Sequence, residues 1–236
     1  MKSVKSMMIP AITTVCILCL LLVTTFATNN AVNVYNQNEL QRNRTCVIID
    51  AGHGGIDGGA ISCTGISESN INLEIALRLN DLMHLLGIQT YMIRTEDISV
   101  YTEGKSIASK KISDLKERVR IINTTPNAVF VSIHQNYFED ARYCGAQVFY
   151  GKDDVLAKQL QDAFVHTLNI GSNRKAKKAT GVYLMQKVNR PGALIECGFL
   201  SNYAEESMLR DPIYQKKICS VISATVSCYI YSKHIA

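Results

Sequence analysis

The strongest constraint on this chain is a short, unbroken apolar run, Thr45-Cys-Val-Ile-Ile-Asp50, that stops at Ala51-Gly-His-Gly-Gly55. Apolar character at every position over so few residues implies burial on both faces, and the glycines directly after it mark a tight loop. A strand buried on both faces needs helices above and below it, which points to an α/β arrangement.

The rest of the chain supplies the partners. A helix is predicted from an N-cap at Ser67 to a C-terminal glycine at Gly87, with Ile75, Leu79, Leu82 and Leu86 repeating at helical spacing. Further strands are predicted at 89–93, 128–133, 146–150, 182–185 and 193–197, and helices at about 114–123, 153–168 and from Asp211-Pro212 to Tyr231. Alternation of this kind predicts a mostly parallel sheet sandwiched between helices. In such sheets the chemistry collects at the carboxyl ends of the strands.

Length and composition allow one such domain. The chain has 236 residues, 47% of them hydrophobic, with no repeat, linker-like stretch or disordered composition. Its N-terminus differs: Lys2 and Lys5 precede an apolar run from Met7 to Ala27, followed by chargeless polar residues to Gln37. Residues 1–28 therefore read as an export signal, either a cleaved signal peptide or a retained membrane anchor, since the run reaches the length that spans a bilayer. The chain then divides into a short polar spacer at 29–44, the main folded domain at 45–232 and a tail at 233–236. Cys16 and Cys19 lack the small preceding residue of a lipidation site. The six other cysteines form no Cys-x-x-Cys pair, and most read as small buried hydrophobes. The net charge of +5 is scattered except at Arg174, Lys175, Lys177 and Lys178. No basic face with interleaved aromatics marks a nucleic-acid site.

Four residues carry the chemistry. His53 lies just past the first strand, His134 ends the strand Val129-Phe-Val-Ser-Ile-His134, and Glu68 opens the sheet-facing stripe of the first helix. All three map to one rim. Two imidazoles and a carboxylate leave a fourth position open for water, the composition of a catalytic zinc site. Glu196, in Leu194-Ile-Glu-Cys-Gly-Phe199, ends another apolar strand on the same rim, where a lone carboxylate needs a partner or a task. Beside a metal-held water it has the task of general base. His84, His166 and His234 fall elsewhere and read as structural or solvated.

Asp50-Ala-Gly-His-Gly-Gly-Ile-Asp-Gly-Gly-Ala60, Glu68-Ser-Asn-Ile-Asn-Leu73, Arg94 with Asp97, Ser132-Ile-His-Gln-Asn136 and Glu196-Cys-Gly-Phe-Leu-Ser-Asn202 resemble, in order, the defining segments of the zinc-dependent N-acetylmuramoyl-L-alanine amidases of the type-3 family. The resemblance covers about residues 45 to 232. It implies Zn2+ held by His53, Glu68 and His134, Glu196 as catalytic glutamate, and hydrolysis of the amide between N-acetylmuramic acid and L-alanine of the stem peptide. Asn136, Arg94 and Arg190 become candidate substrate-binding residues. Ser113-Asp-Leu-Lys-Glu-Arg-Val-Arg-Ile-Ile-Asn123 and the single-domain layout look most like the spore-cortex, germination-specific branch, which implies a role in muramic δ-lactam formation around the developing forespore. Gln135, Cys144 and Arg174-Lys175 depart from the family pattern, which bears on the substrate loops. Only about ten residues follow His134 before the next strand, so no blocking helix is expected, and restraint would come from timing or from a partner such as an activator or envelope lipoprotein. Peptidoglycan is the expected binding partner, with an N-terminal membrane contact and no nucleic acid, and the expected location is extracytoplasmic. The rival readings are a zinc peptidase acting within the stem peptide and a catalytically silent wall-binding module.

Overall fold

Val47, Ile49 and Ala51 of the first strand face one way and Ile48 and Asp50 the other, and both sets are buried. In the computed structural model, which describes residues 20–26, 28 and 45–235, this strand, β1 (Cys46–Ala51), sits inside a six-stranded sheet. The other elements are α1 (Glu68–Leu85), β2 (Gln89–Met92), α2 (Ile107–Thr124), β3 (Ala128–Asn136), β4 (Gln147–Tyr150), α3 (Val155–Thr167), β5 (Lys177–Lys178), α4 (Tyr183–Lys187), β6 (Gly192–Phe199), α5 (Tyr203–Arg210) and α6 (Pro212–Ile235). Residues 20–26 and 28 are helical and belong to a unit separate from Thr45–Ala236. Most of the export or anchor segment and the 29–44 spacer lie outside the described residues. Among the described residues no helix is long and apolar enough to cross a membrane.

The sheet runs β2-β1-β3-β6-β4-β5. β2, β1, β3 and β6 are parallel, and β4 is antiparallel to β6 with β5 parallel to β4. The expected α/β sandwich is present, with β4 and β5 running together antiparallel to the four-stranded parallel part. One face packs Val47, Val131, Ile133 and Ile195 against α1, α3 and α6. The other packs Ile48, Phe130 and Leu194 against α2 and α4. Gly87, with φ 73°, follows α1 as the sequence predicts.

Several elements differ from expectation for identifiable reasons. The apolar run at 182–185 forms the short helix α4 rather than a strand, because a run this short does not distinguish a strand from a buried helical turn. Its Leu184 and Met185 fill the second core. The edge strand is instead Lys177–Lys178, too short and charged to show apolar periodicity. α2 begins at Ile107, ahead of the expected 114, through a capping box between Ser106 and Ser109. α5 adds a helix that the sequence pattern does not predict, capped by Asn202, whose side chain accepts from the Glu205 N–H. α6 continues to Ile235 through the expected tail. Only Cys46, Cys197 and Cys219 are buried; Cys63, Cys144 and Cys228 are exposed, and all six are free thiols.

A buried ion network ties α2 to the carboxyl end of the sheet. Arg118 of α2 pairs with Asp50 of β1 at 2.5 Å and with Asp114 at 2.6 Å. Its guanidinium also donates to the carbonyls of Ala51 and His53, while Ser132 of β3 donates to the second Asp50 oxygen. Burial pushes the Asp50 carboxyl up, and the Arg118 charge and the Ser132 hydroxyl outweigh it, holding the group below its usual range. Removing one member strands a buried charge. Arg118→Ala should cost about 3–5 kcal/mol in urea denaturation, against a far smaller change for Arg120→Ala, whose pair with Glu117 lies at the surface.

Candidate functional site

Parity along the strands decides which side chains meet. His134 of β3 and Glu196 of β6 are direct register partners, on the face that carries Ile48, Phe130 and Leu194. His53 lies two residues beyond β1, in a left-handed conformation with φ 61°. The Arg118 contact to its carbonyl holds that turn in place. Glu68 is the first residue of α1, where the helix terminus favours a negative charge.

The carboxylate of Glu68 joins the two histidines. Its Oε2 lies 3.3 Å from His53 Nε2 and its Oε1 lies 3.0 Å from His134 Nδ1. Backbone N–H groups of Ala60 and Gln135 and the Asn72 amide also donate to it. The imidazoles stand edge to face with centroids 5.0 Å apart. One ligand atom from each of the three residues falls within 4.8 Å of the others, close enough for a single ion to reach all three. This is the trio that the sequence pattern singles out.

Two glycines make the approach possible. A Cβ on Gly52 would sit 2.3 Å from the His134 ring, and one on Gly59, whose φ is 71°, would sit 2.5 Å from Glu68 Oε2. Either substitution would force the ligand apart from its neighbours.

Asp57 is a functional neighbour that the sequence reading does not assign. Its Oδ2 lies 3.0 Å from His53 Nδ1 and its Oδ1 lies 2.8 Å from Lys111 Nζ of α2. The carboxylate thus orients the ring so that Nε2 faces Glu68, as carboxylates behind metal-ligating histidines do. The signal was present in the sequence as an acid four residues after His53.

Charge balance follows. Burial pushes the His53 imidazolium down, but the Glu68 and Asp57 carboxylates outweigh it and raise its pKa from 6.5 to about 9. Glu68 is pulled far below the carboxylate range, because its bonds to both imidazoles overcome the cost of burial. In the cation-free chain the raised His53 stabilises the fold fully below pH 6.5, and this contribution disappears as the pH rises through about 9. A cation arriving at Nε2 competes with the same proton, so binding strengthens as the pH rises.

Glu196 is placed in a different way. Its Oε2 is buried with no hydrogen-bond partner. Burial is the chief cause that raises its pKa to about 7, and Glu68 adds to the rise while the two histidines oppose it. A half-buried carboxyl with one buried, unpartnered oxygen beside an ion-binding trio is suited to accept a proton and pass it on.

The proposed substrate contacts divide. Asn136 ends β3 half-buried at the same rim. Arg94 is only 2% exposed and spends its donors on the carbonyls of Ala51, Gly52, Ser69 and Glu96, so it braces the His53 loop instead of meeting a ligand. Arg190 precedes β6, at the opposite end of the strand from Glu196, and donates to the Asn123 carbonyl. The structure does not bring it to the site. His84 meets Thr90 and His166 meets the Asp162 carbonyl, both away from the trio.

Comparison with known proteins bears on this geometry. Residues 47–228 match the family described as N-acetylmuramoyl-L-alanine amidase. The chain is 38% identical over 192 residues to the germination-specific N-acetylmuramoyl-L-alanine amidase of Bacillus subtilis, covering 79% of this chain and 80% of that protein. Among solved structures it resembles the CwlD amidase of Clostridioides difficile in complex with the GerS lipoprotein, with TM-score 0.76, 40% identity, and coverage of 80% of this chain and 100% of that one. An N-acetylmuramoyl-L-alanine amidase from Clostridium difficile 630 superposes with TM-score 0.69 at 30% identity, over 81% of this chain and 99% of that one.

The Asp57 contact yields a direct test. Asp57→Asn keeps the shape but removes the charge behind His53, and should weaken binding of a divalent transition-metal ion by about ten- to a hundredfold in a competition titration. Unchanged affinity would show that the ring is held without Asp57.

Proposed function

We propose, from the premise that the chain belongs to the N-acetylmuramoyl-L-alanine amidase family, that it cleaves its bond with zinc on His53, Glu68 and His134 and with Glu196 as general acid and base. As a member of that family the chain is an amide hydrolase of peptidoglycan, and what remains is how these residues perform the reaction.

The donor set fits zinc: two neutral-capable imidazole nitrogens and one carboxylate oxygen within reach of one ion, with no thiolate among them. When bound, zinc supplies Lewis acidity that makes water more acidic and polarises the scissile carbonyl. His53 and His134 must be deprotonated at the ligating nitrogens, and Asp57 and Glu68 orient the rings for it. Glu196 faces the same space with a buried, unpaired oxygen. It takes the proton of the attacking water and returns it to the L-alanine nitrogen as the amide breaks. Burial, with the neighbouring Glu68 charge, raises the Glu196 carboxyl and favours its holding a proton between the two steps.

The single observation that carries this reading is the register pairing of Glu196 with His134, which sets a non-ligand carboxylate beside the trio. It also argues against the silent binding module, since wall binding alone needs no base there. A zinc peptidase acting within the stem peptide would use the same residues, but the relatives are named for the muramoyl amide.

We further assign the chain a role in spore cortex maturation, supported by its likeness to the germination-specific relative. The lipoprotein-bound neighbour supports a protein partner of that kind for this chain. Extracytoplasmic action follows from the cell-wall substrate.

Glu196→Gln separates binding from turnover. The amide is nearly isosteric yet cannot take a proton, so the variant should retain zinc and fold while release of stem peptide slows about a hundredfold to ten-thousandfold in kcat. His53→Ala should lose metal and activity together. Near wild-type turnover by zinc-loaded Glu196→Gln would place the base elsewhere.

A further inference from the structure

Gln135 follows His134 at the point where β3 and β6 change register. Strand parity turns its side chain to the opposite face, with Val131 and Ile133, where α1 packs. It is buried there, and its Nε2 donates to Asn72 Oδ1 at 3.2 Å. Its Oε1 is buried with no hydrogen-bond partner. A buried amide that leaves an oxygen unbonded needs an explanation.

The explanation lies in Asn72, which is fully buried on α1. Its Nδ2 donates to the Gly52 carbonyl and to Glu68 Oε1, each at 3.2 Å. Reversing that amide would set its oxygen against two acceptors, and would turn its nitrogen toward the donor on Gln135. Reversing Gln135 instead would bring its Oε1 against Asn72 Oδ1. The unbonded oxygen of Gln135 thus follows from keeping the Asn72 amide aimed at Glu68.

The two oxygens of Glu68 are therefore unequal. Apart from the imidazoles, Oε1 accepts from the Asn72 amide and from the Gln135 backbone N–H at 3.1 Å, whereas Oε2 accepts from the Ala60 N–H alone. A carboxylate oxygen offers about two lone-pair sites. With both imidazoles deprotonated, Oε1 is filled and Oε2 keeps a site open.

Resting on the zinc reading above, we propose that Gln135 and Asn72 are positioning residues that act in series, filling Oε1 of Glu68 and reserving Oε2 for the cation. Both are buried, so their effect passes through Glu68.

The test titrates the full chain with Zn2+ against a competing chelator, and separately loads it with Co2+. Asn72→Leu removes a donor from Oε1 and should weaken Zn2+ binding about ten- to a hundredfold. Gln135→Met, of similar volume, acts one step further out and should cost about three- to tenfold. Because the two act in series, the double variant should lose no more than Asn72→Leu alone. Visible absorption of the Co2+-loaded chain should weaken in both single variants, as Oε1 becomes free to reach the ion as a second oxygen. Melting of the cation-free chain separates positioning from packing. Gln135→Met removes one unbonded oxygen and leaves another on Asn72, so it should melt close to wild type. If Asn72→Leu melts early, Gln135→Met decides. Wild-type Zn2+ affinity and Co2+ absorption in Gln135→Met would overturn the proposal, as would additive losses in the double variant or an early-melting Gln135→Met. A wild-type chain that takes up no Zn2+ would overturn the zinc reading, and the positioning role with it.

Discussion

Glu68 is 4% exposed, and its two oxygens each meet a different imidazole. A carboxylate so buried is costly unless it is fully bonded. Here the Ala60 and Gln135 amides and Asn72 complete its shell. Those donors come from the glycine loop, from β3 and from α1 itself, so the carboxylate fixes the mutual position of three elements. The glycines at 52 and 59 exist in this frame because ring and carboxylate press on backbone where a Cβ would stand.

Behind that trio lies a second layer of charge with the opposite role. Arg118 neutralises Asp50 and grips the His53 turn, while Lys111, from the same helix, holds Asp57 against the His53 ring. One helix thus supplies both cations that steady the histidine loop. Glu196 is left outside this compensation, with its pKa raised by burial and no bonded partner for Oε2. The contrast between a saturated carboxylate and an unsaturated one in the same pocket separates the ligand from the proton carrier.

The trio was legible in the sequence because each member sits at a strand end or helix start, positions that apolar periodicity locates well. The β1 run and the α1 stripe specify the sheet and its rim without further information. Asp57, Arg118 and Lys111 were not legible as a group, since they lie on a loop and a helix whose approach depends on tertiary packing. Arg94 stood in the right motif for a substrate contact, yet burial turns it into a brace for carbonyls. The 182–185 run is too short to distinguish a strand from a buried helical turn, and α5 spans only eight residues directly after the Glu196–Asn202 segment. The capping pair at Ser106 and Ser109 shows the same limit at a helix end, because serine at the third position lacks the usual acidic signature.

The central claim is metal-assisted cleavage of one particular amide, and the products name the bond. Mass spectrometry of muropeptides after digestion of intact peptidoglycan by the zinc-loaded chain reads it directly. The account requires intact stem peptides with a free L-alanine amine and glycan strands with unsubstituted lactyl carboxylates, both lost on chelation and restored by zinc. Shortened peptides still attached to muramic acid would contradict it and establish cleavage within the stem.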